Sequence, residues 1–183
     1  MNIWGRILKL AGWQVDITAP QRDKCVICVA PHTSNWDFIL GILAYKSVGR
    51  KANFLMKDFW FFFPLKYLLS YLGGIPVIRK KSKGTPSLTS ALIEKFRDSE
   101  YLNLAVTPEG TRSLQTDWRT GFLHIAIGAD VPIDLGVIDY SKKKIIIKDE
   151  YLPSGNIQKD MSQIKTYYSK FTTAARFPEK FST

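Results

Sequence analysis

A histidine and an aspartate lie five positions apart in the polar stretch APHTSNWD, residues 30–37. On one continuous helix they could not pair, because five steps of about 100° leave two side chains roughly 140° apart. They can pair if His32 lies in a loop and Asp37 lies in the first helical turn, behind an N-cap at Ser34 or Asn35. The carboxylate would then hold one imidazole nitrogen and leave the other basic, which predicts a general base for a substrate hydroxyl.

The segments on either side of this stretch indicate how the two residues are positioned. The apolar, β-branched run at 24–29 predicts a buried strand, and the run at 38–43 predicts the start of a buried helix that ends near Tyr45. A turn from a strand into a helix is a common place for chemistry in α/β folds. Taken alone, the pair is more typical of a loop histidine beside a first-turn carboxylate than of a catalytic dyad. Whether the pair is catalytic must therefore be judged from the other motifs of the chain.

The composition is that of one globular domain with a large positive charge. The chain has 183 residues, of which 45% are hydrophobic and 23% charged, which excludes a disordered chain and is enough to bury a core. The net charge of +10 predicts an anionic partner, such as nucleic acid, anionic lipid or an acidic carrier protein. Nucleic acid is disfavoured, because the aromatic residues cluster in an apolar block and do not alternate with basic residues.

Two segments predict contact with a membrane surface. Residues 1–22 form an N-terminal amphipathic segment, whose tryptophan and basic residues suit an interfacial helix and equally a helix docked on the domain. Its apolar positions at helical spacing are Ile3, Ile7, Leu10 and Ala11. Five consecutive aromatic residues at 59–63 exceed what one helix face can bury, so some must face lipid, an acyl chain or a partner. We expect a peripheral protein on the cytoplasmic face of the inner membrane, with neither a spanning helix nor a signal peptide.

Three other residues with chemical potential are predicted to be structural. Cys25 and Cys28 have C-x-x-C spacing, but three steps along a strand put their thiols on opposite faces of a sheet. No second cysteine pair completes a zinc site, so both are predicted to be core residues in a reducing compartment. His124 lies among apolar residues and is predicted to be a core histidine and not a second base.

Further along the chain, two segments carry residues that suit an anionic, hydroxyl-bearing substrate, and a short apolar segment follows them. The segment GGIPVIR at 73–79 predicts an edge or bulged strand ending in Arg79, followed by three lysines. The segment TPEGTRS at 107–113 follows another predicted strand, where Gly110 permits a close approach of the backbone and Arg112 offers a planar fork for phosphate. In the same segment, Glu109 can pair with an arginine or accept from a glycerol hydroxyl. The third segment is VPI at 131–133.

Taken in this order, the four segments resemble the glycerolipid acyltransferases of the 1-acylglycerol-3-phosphate acyltransferase family. That family carries H-x-S-x-x-D (the HX4D motif), a Gly-Gly block ending in Arg, a P-E-G-T-R-S block and a V-P-I segment, and the resemblance covers about residues 24–138. It implies a single acyltransferase domain over residues 1–183. Its expected fold is α/β, with a central, mostly parallel mixed sheet flanked by helices and an N-terminal amphipathic helix.

The resemblance also implies a reaction and a set of site residues. An acyl group would move from a thioester of coenzyme A or acyl carrier protein to a lysolipid hydroxyl, as in 1-acylglycerol-3-phosphate, without a metal or a bound cofactor. His32 would be the base and Asp37 its orienting acid. The residues expected to bind substrate are Ser34, Arg79, Glu109, Gly110, Thr111, Arg112 and Ser113. The expected partners are an anionic membrane surface, the lysolipid acceptor and the thioester donor, and not nucleic acid.

Four residues depart from the family pattern: Pro31, Pro76, Thr107 and Leu135. None is part of the presumed chemistry, but the changes near Arg79 and at Thr107 leave the acceptor open. An amino-acid-based or other polar lysolipid is therefore an alternative acceptor. A non-catalytic protein that binds anionic membranes through the same basic and aromatic residues is the alternative from another class.

Overall fold

A computed structural model describes residues 2–77 and 87–183 of the chain. In these residues seven strands form one sheet: β1 (Gln14–Ile17), β2 (Lys24–Val29), β3 (Asn53–Lys57), β4 (Gly74–Val77), β5 (Leu102–Val106), β6 (Ile133–Asp139) and β7 (Lys144–Tyr151). Their order across the sheet is β1-β7-β6-β2-β5-β3-β4. Neighbouring strands are parallel except β6 and β7, which form an antiparallel hairpin. The predicted α/β fold with a mostly parallel mixed sheet is confirmed.

Helices cover both faces of the sheet. They are α1 (Ile3–Leu10), α2 (Asn35–Ser47), α3 (Leu65–Tyr71), α4 (Leu88–Asp98), α5 (Gly121–Ala129) and α6 (Ile157–Tyr168), with short 3-10 helices at Asp58–Trp60, Ser169–Phe171 and Pro178–Lys180. On one face α1 and α2 pack against β6 and β7, and on the other α4, α5 and α6 pack against β2, β5 and β6. Cys25 and Cys28 are buried in different core clusters, on opposite faces of β2 as predicted.

The N-terminal helix turns its predicted apolar stripe away from the domain. Asn2 caps α1 by accepting from the backbone N–H of Gly5 (3.0 Å), and Leu8 anchors the helix in the cluster formed with α2, β6 and β7. Ile3, Ile7 and Leu10 are exposed. The amphipathic helix is therefore confirmed, and Leu8 is its one buried residue. The stripe at helical spacing stays on the surface.

The aromatic block divides into two short elements, because Pro64 lacks a backbone N–H and so suits the start of a helix and not its interior. A 3-10 helix at Asp58–Trp60 precedes this proline, and α3 follows it. Gly73 then ends the helical region with φ +97°, and a Cβ there would overlap the carbonyl oxygen of Ala52. This glycine lets β4 run beside β3 as the edge strand that Pro76 indicated.

One prediction about the core is wrong. His124 is exposed, not buried, because four of the apolar neighbours that made it look like a core residue lie on the other side of α5. At about 100° per residue, Phe122, Leu123, Ile125 and Ala126 share one arc of the helix, and position 124 lies opposite. Separately, the predicted substrate-binding residue Arg79 lies outside the described residues. The structure begins α4 at Leu88, with Ser87 as N-cap.

No helix among residues 2–77 and 87–183 is both long enough and apolar enough to cross a membrane.

Candidate active site

The loop between β2 and α2 brings His32 and Asp37 together. Ser34 is the N-cap of α2, and its side chain accepts from the backbone N–H of Trp36 (3.2 Å). Asp37 occupies the third position of the first turn and completes a capping box with Ser34. His32 Nδ1 lies 3.0 Å from Asp37 Oδ2. Since a carboxylate only accepts, Nδ1 carries the proton, and Nε2 is left with a lone pair for a substrate.

Asp37 is held by an unusually full set of donors for a residue that is only 4% exposed. Its Oδ2 accepts from His32 Nδ1 and from the backbone N–H groups of Thr33 (3.0 Å) and Ser34 (2.9 Å). Its Oδ1 accepts from the hydroxyl of Tyr140 at 2.6 Å. These four hydrogen bonds hold the carboxyl group in place, so that it fixes the imidazole ring of His32.

Glu109 joins the loop after β5 to this loop, through a contact that the sequence did not indicate. Both of its carboxyl oxygens lie within reach of the backbone N–H of His32, at 2.9 and 3.2 Å. The side chain is 4% exposed. Burial raises the pKa of Glu109 to about 7, although the hydrogen bond and the charge of His32 act in the opposite direction. The sequence had predicted an arginine or a glycerol hydroxyl as its partner, and the partner in the structure is main chain.

The remaining predicted residues differ in how closely they approach the dyad. Gly110 has φ +65°, and a Cβ there would lie 2.7 Å from Arg119 Nε, so this turn needs glycine. Thr111, Arg112 and Ser113 lie on the exposed loop that follows.

Ser34 is placed beside the dyad, but its hydroxyl is engaged as the helix cap. It also accepts from Arg176 Nη1 at 3.3 Å.

A cavity of about 490 Å³ opens at the dyad. His32, Asp37, Gly110 and Arg119 line its polar part. Aliphatic and aromatic side chains of the sheet and of α2 line most of the rest, and Gly41 of α2 faces it as well. Pockets of this size, mostly apolar with a few placed polar groups, suit a small or elongated ligand. The basic imidazole nitrogen is therefore next to a compartment that favours apolar substrate.

Sequence reasoning missed four residues around the dyad. They are Thr33, Arg119, Tyr140 and Arg176. Thr33 Oγ1 accepts from the backbone N–H of Phe177 (3.2 Å), so the C-terminal segment contacts the dyad loop at two points, through Phe177 and Arg176. No local pattern marks Thr33, Tyr140 and Arg176, since the partners named here are distant in the sequence. Arg119 had one available signal, namely its position seven residues after the predicted phosphate-binding Arg112 in the same connection.

An imidazole oriented by a buried acid at a strand end defines a site for general-base chemistry on a substrate hydroxyl. A model of the family described as Acyltransferase matches residues 15–134, more than half of the chain. The chain therefore belongs to this family and is an acyltransferase, which confirms the resemblance to glycerolipid acyltransferases. A comparison with curated protein sequences finds no match.

Among solved structures, the chain is similar to the crystal structure of the 1-acyl-sn-glycerophosphate (LPA) acyltransferase PlsC from Thermotoga maritima. The TM-score is 0.63 and the sequence identity 19%, and the match covers 98% of this chain and 78% of that chain. At this identity the likeness concerns the fold, which it shares over almost the whole chain.

Proposed function

We propose that this acyltransferase moves a fatty acyl group from a thioester, acyl-coenzyme A or acyl carrier protein, to the hydroxyl of a lysolipid such as 1-acylglycerol-3-phosphate, as a step in phospholipid biosynthesis. The observation that carries the proposal is the 3.0 Å contact between His32 Nδ1 and Asp37 Oδ2 at the mouth of the apolar cavity. The activity of the similar Thermotoga maritima protein, a 1-acyl-sn-glycerophosphate acyltransferase, suggests the acceptor.

In the proposed reaction, His32 Nε2 removes the proton from the acceptor hydroxyl as its oxygen attacks the thioester carbonyl. Asp37 stabilises the imidazolium that forms. When the tetrahedral intermediate collapses, the carbon–sulfur bond breaks, and the imidazolium returns its proton to the leaving thiolate. The products are the acylated lipid and the free thiol, and the histidine is neutral again.

Two arginines near the dyad, and a third on the exposed loop after Glu109, support an anionic acceptor headgroup. Arg119 lines the cavity together with Gly110, and Arg176 lies against Ser34. Arg112 lies on the exposed loop that follows Glu109. A planar guanidinium matches two oxygens of a phosphate or carboxylate. We propose that these arginines and Arg79 hold the headgroup and so place its hydroxyl beside His32.

The apolar cavity supports a fatty chain as the group transferred. Burial of each methylene contributes about 0.8 kcal/mol, so a long chain in this space would provide much of the binding energy for the donor. The polar end of the cavity then places the thioester carbonyl near His32. A donor whose carrier is acidic would also be attracted by the net charge of +10.

Exposed apolar residues on one group of elements support binding to a membrane surface. They lie on α1, on the 3-10 helix Asp58–Trp60, on the turn after it and on α3: Ile3, Ile7, Leu10, Phe59, Trp60, Phe62, Phe63, Tyr67, Leu68 and Tyr71. Lys46 of α2 lies over the rings of Trp4 (5.3 Å) and Tyr71 (4.3 Å), which connects α1 with α3. We propose that this surface docks on anionic lipid at the cytoplasmic face of the membrane.

The test is a panel of acceptors and donors with the purified chain. Acyl-coenzyme A and acyl carrier protein thioesters are each offered with lysophosphatidate, with other lysophospholipids and with an amino-acid-based lysolipid, and the acylated product is measured by mass spectrometry. We expect acylated lysophosphatidate. If only another lysolipid is acylated, the proposed reaction stands and the proposed acceptor is wrong. Binding to anionic vesicles without turnover of any pair would instead favour a non-catalytic membrane protein.

A further inference from the structure

We propose that Tyr140 is a positioning residue of the dyad: by donating its hydroxyl proton to Asp37 Oδ1, it fixes the carboxylate and limits how strongly Asp37 stabilises the imidazolium of His32. Tyr140 lies outside the part of the chain that the family model matches, residues 15–134. Its catalytic consequence rests on the proposed function, whereas its effect on the protonation of His32 does not.

Three contacts fix the position of Tyr140. It follows the last residue of β6, and its backbone N–H donates to the carbonyl of Ala174 (2.8 Å). Its ring lies edge-on to Trp13, with centroids 5.1 Å apart and an interplanar angle of 88°. Its hydroxyl then reaches Asp37 Oδ1 at 2.6 Å, the length of a strong hydrogen bond to a charged acceptor. Burial, followed by the bond to Asp37, raises the pKa of Tyr140, so the phenol remains a neutral donor.

The two carboxyl oxygens of Asp37 have different hydrogen-bond donors. Oδ2 accepts from His32 and from two backbone N–H groups, whereas within the described part of the chain Oδ1 accepts only from Tyr140. Loss of the phenol would leave Oδ1 buried without this donor, and a carboxylate with fewer donors attracts a proton or a cation more strongly. The imidazolium of His32 would then persist to higher pH, and less of the neutral base would be present at neutral pH.

Other charged or titratable groups also face His32, so the test must separate them. Asp37 belongs to α2, Glu109 follows β5, Arg119 lines the same cavity, and Arg176 comes from the C-terminal segment. Replacement of Tyr140 by phenylalanine changes none of these groups and keeps the ring against Trp13. It removes one oxygen, and with it the donor to Asp37.

The experiment is an NMR titration of the histidine rings, of which the chain has two. In Tyr140→Phe we expect the midpoint of the His32 titration to move to higher pH by about half a unit or more. The exposed His124 serves as an internal control and should not move. The matched control variant is Tyr151→Phe, which removes a similar phenol-to-carboxylate bond, 2.8 Å from Asp160 Oδ1, away from the dyad.

Kinetics provide the second readout. We expect Tyr140→Phe to lower kcat by up to about threefold at neutral pH, the loss of neutral base that a half-unit rise allows, to move the acid limb of the pH–rate profile upward, and to leave the acceptor KM within about twofold. In an Asp37→Asn background, Tyr140→Phe should no longer move the His32 midpoint. An unchanged His32 midpoint in Tyr140→Phe would overturn the proposal, and so would an equal shift without Asp37. A moved midpoint in a protein that acylates no lysolipid would support this proposal while the proposed function fails.

Discussion

Glu109 gives a prediction about stability that can be worked out in full. Its pKa rises from 4.5 to about 7 because the side chain is buried. Between these two values the folded state holds a proton that the unfolded state has released, so the free energy of unfolding falls as the pH rises through this window. A change of this size corresponds to about 3 kcal/mol, taken as an upper value. The protein should therefore be less stable at pH 8 than at pH 5 by an amount to which this one residue contributes.

Glu109→Gln removes the titrating group and keeps an oxygen that can accept from the backbone N–H of His32. We expect the variant to match the wild type near pH 4.5 and to be more stable by about 2–3 kcal/mol at pH 8. Urea unfolding at intervals from pH 4.5 to 8 measures the difference. Glu94→Gln, on the exposed side of α4, is the control and should follow the wild-type curve. A difference between wild type and Glu109→Gln that is constant with pH would refute the reasoning.

Three further predictions concern the dyad, the Gly110 turn and the cavity. Asp37→Asn should lower kcat by about 10³–10⁴-fold in steady-state assays, because an amide does not hold the Nδ1–H tautomer; a drop below tenfold would contradict this. Gly110→Ala should raise the acceptor KM and lower the urea-derived stability by about 1–2 kcal/mol, since its φ is +65° and its Cβ would meet Arg119. Gly41→Leu should shift the donor preference to shorter acyl chains in a length series without loss of stability. Gly41 lines the cavity, and a Cβ there meets nothing within 4 Å. An unchanged chain-length preference would show that the acyl chain does not bind in this cavity.

Local sequence chemistry was sufficient to predict the geometry of the dyad. A cap, a first-turn acid and a histidine within six residues define their own arrangement, and Ser34 and Asp37 form the capping box that such spacing allows. The strand β2 before them could also be predicted, because a short apolar run of β-branched residues is typical of a buried strand. The same holds for the two cysteines, whose opposite faces follow from the period of a strand.

Contacts between distant parts of the chain could not be predicted in this way. Tyr140 and Asp37 are 103 positions apart, and Phe177 and Thr33 are 144 apart, so no window of sequence contains both partners. The partner of Glu109 is a backbone N–H, which carries no residue identity for a pattern to reveal. The prediction that His124 is buried was wrong for another reason. Its apolar neighbours suggested burial, but the helical period places it on the opposite side of α5 from the buried residues.

The acyl-transfer rate of His32→Ala tests the central claim most directly. The purified variant is assayed with a fatty acyl thioester and the best acceptor of the panel, beside His124→Ala, with unfolding curves and vesicle binding recorded for both. We expect His32→Ala to lose about a thousandfold or more in kcat while its stability and vesicle binding stay close to those of His124→Ala. A His32→Ala protein that still transfers acyl groups at the wild-type rate would contradict the account.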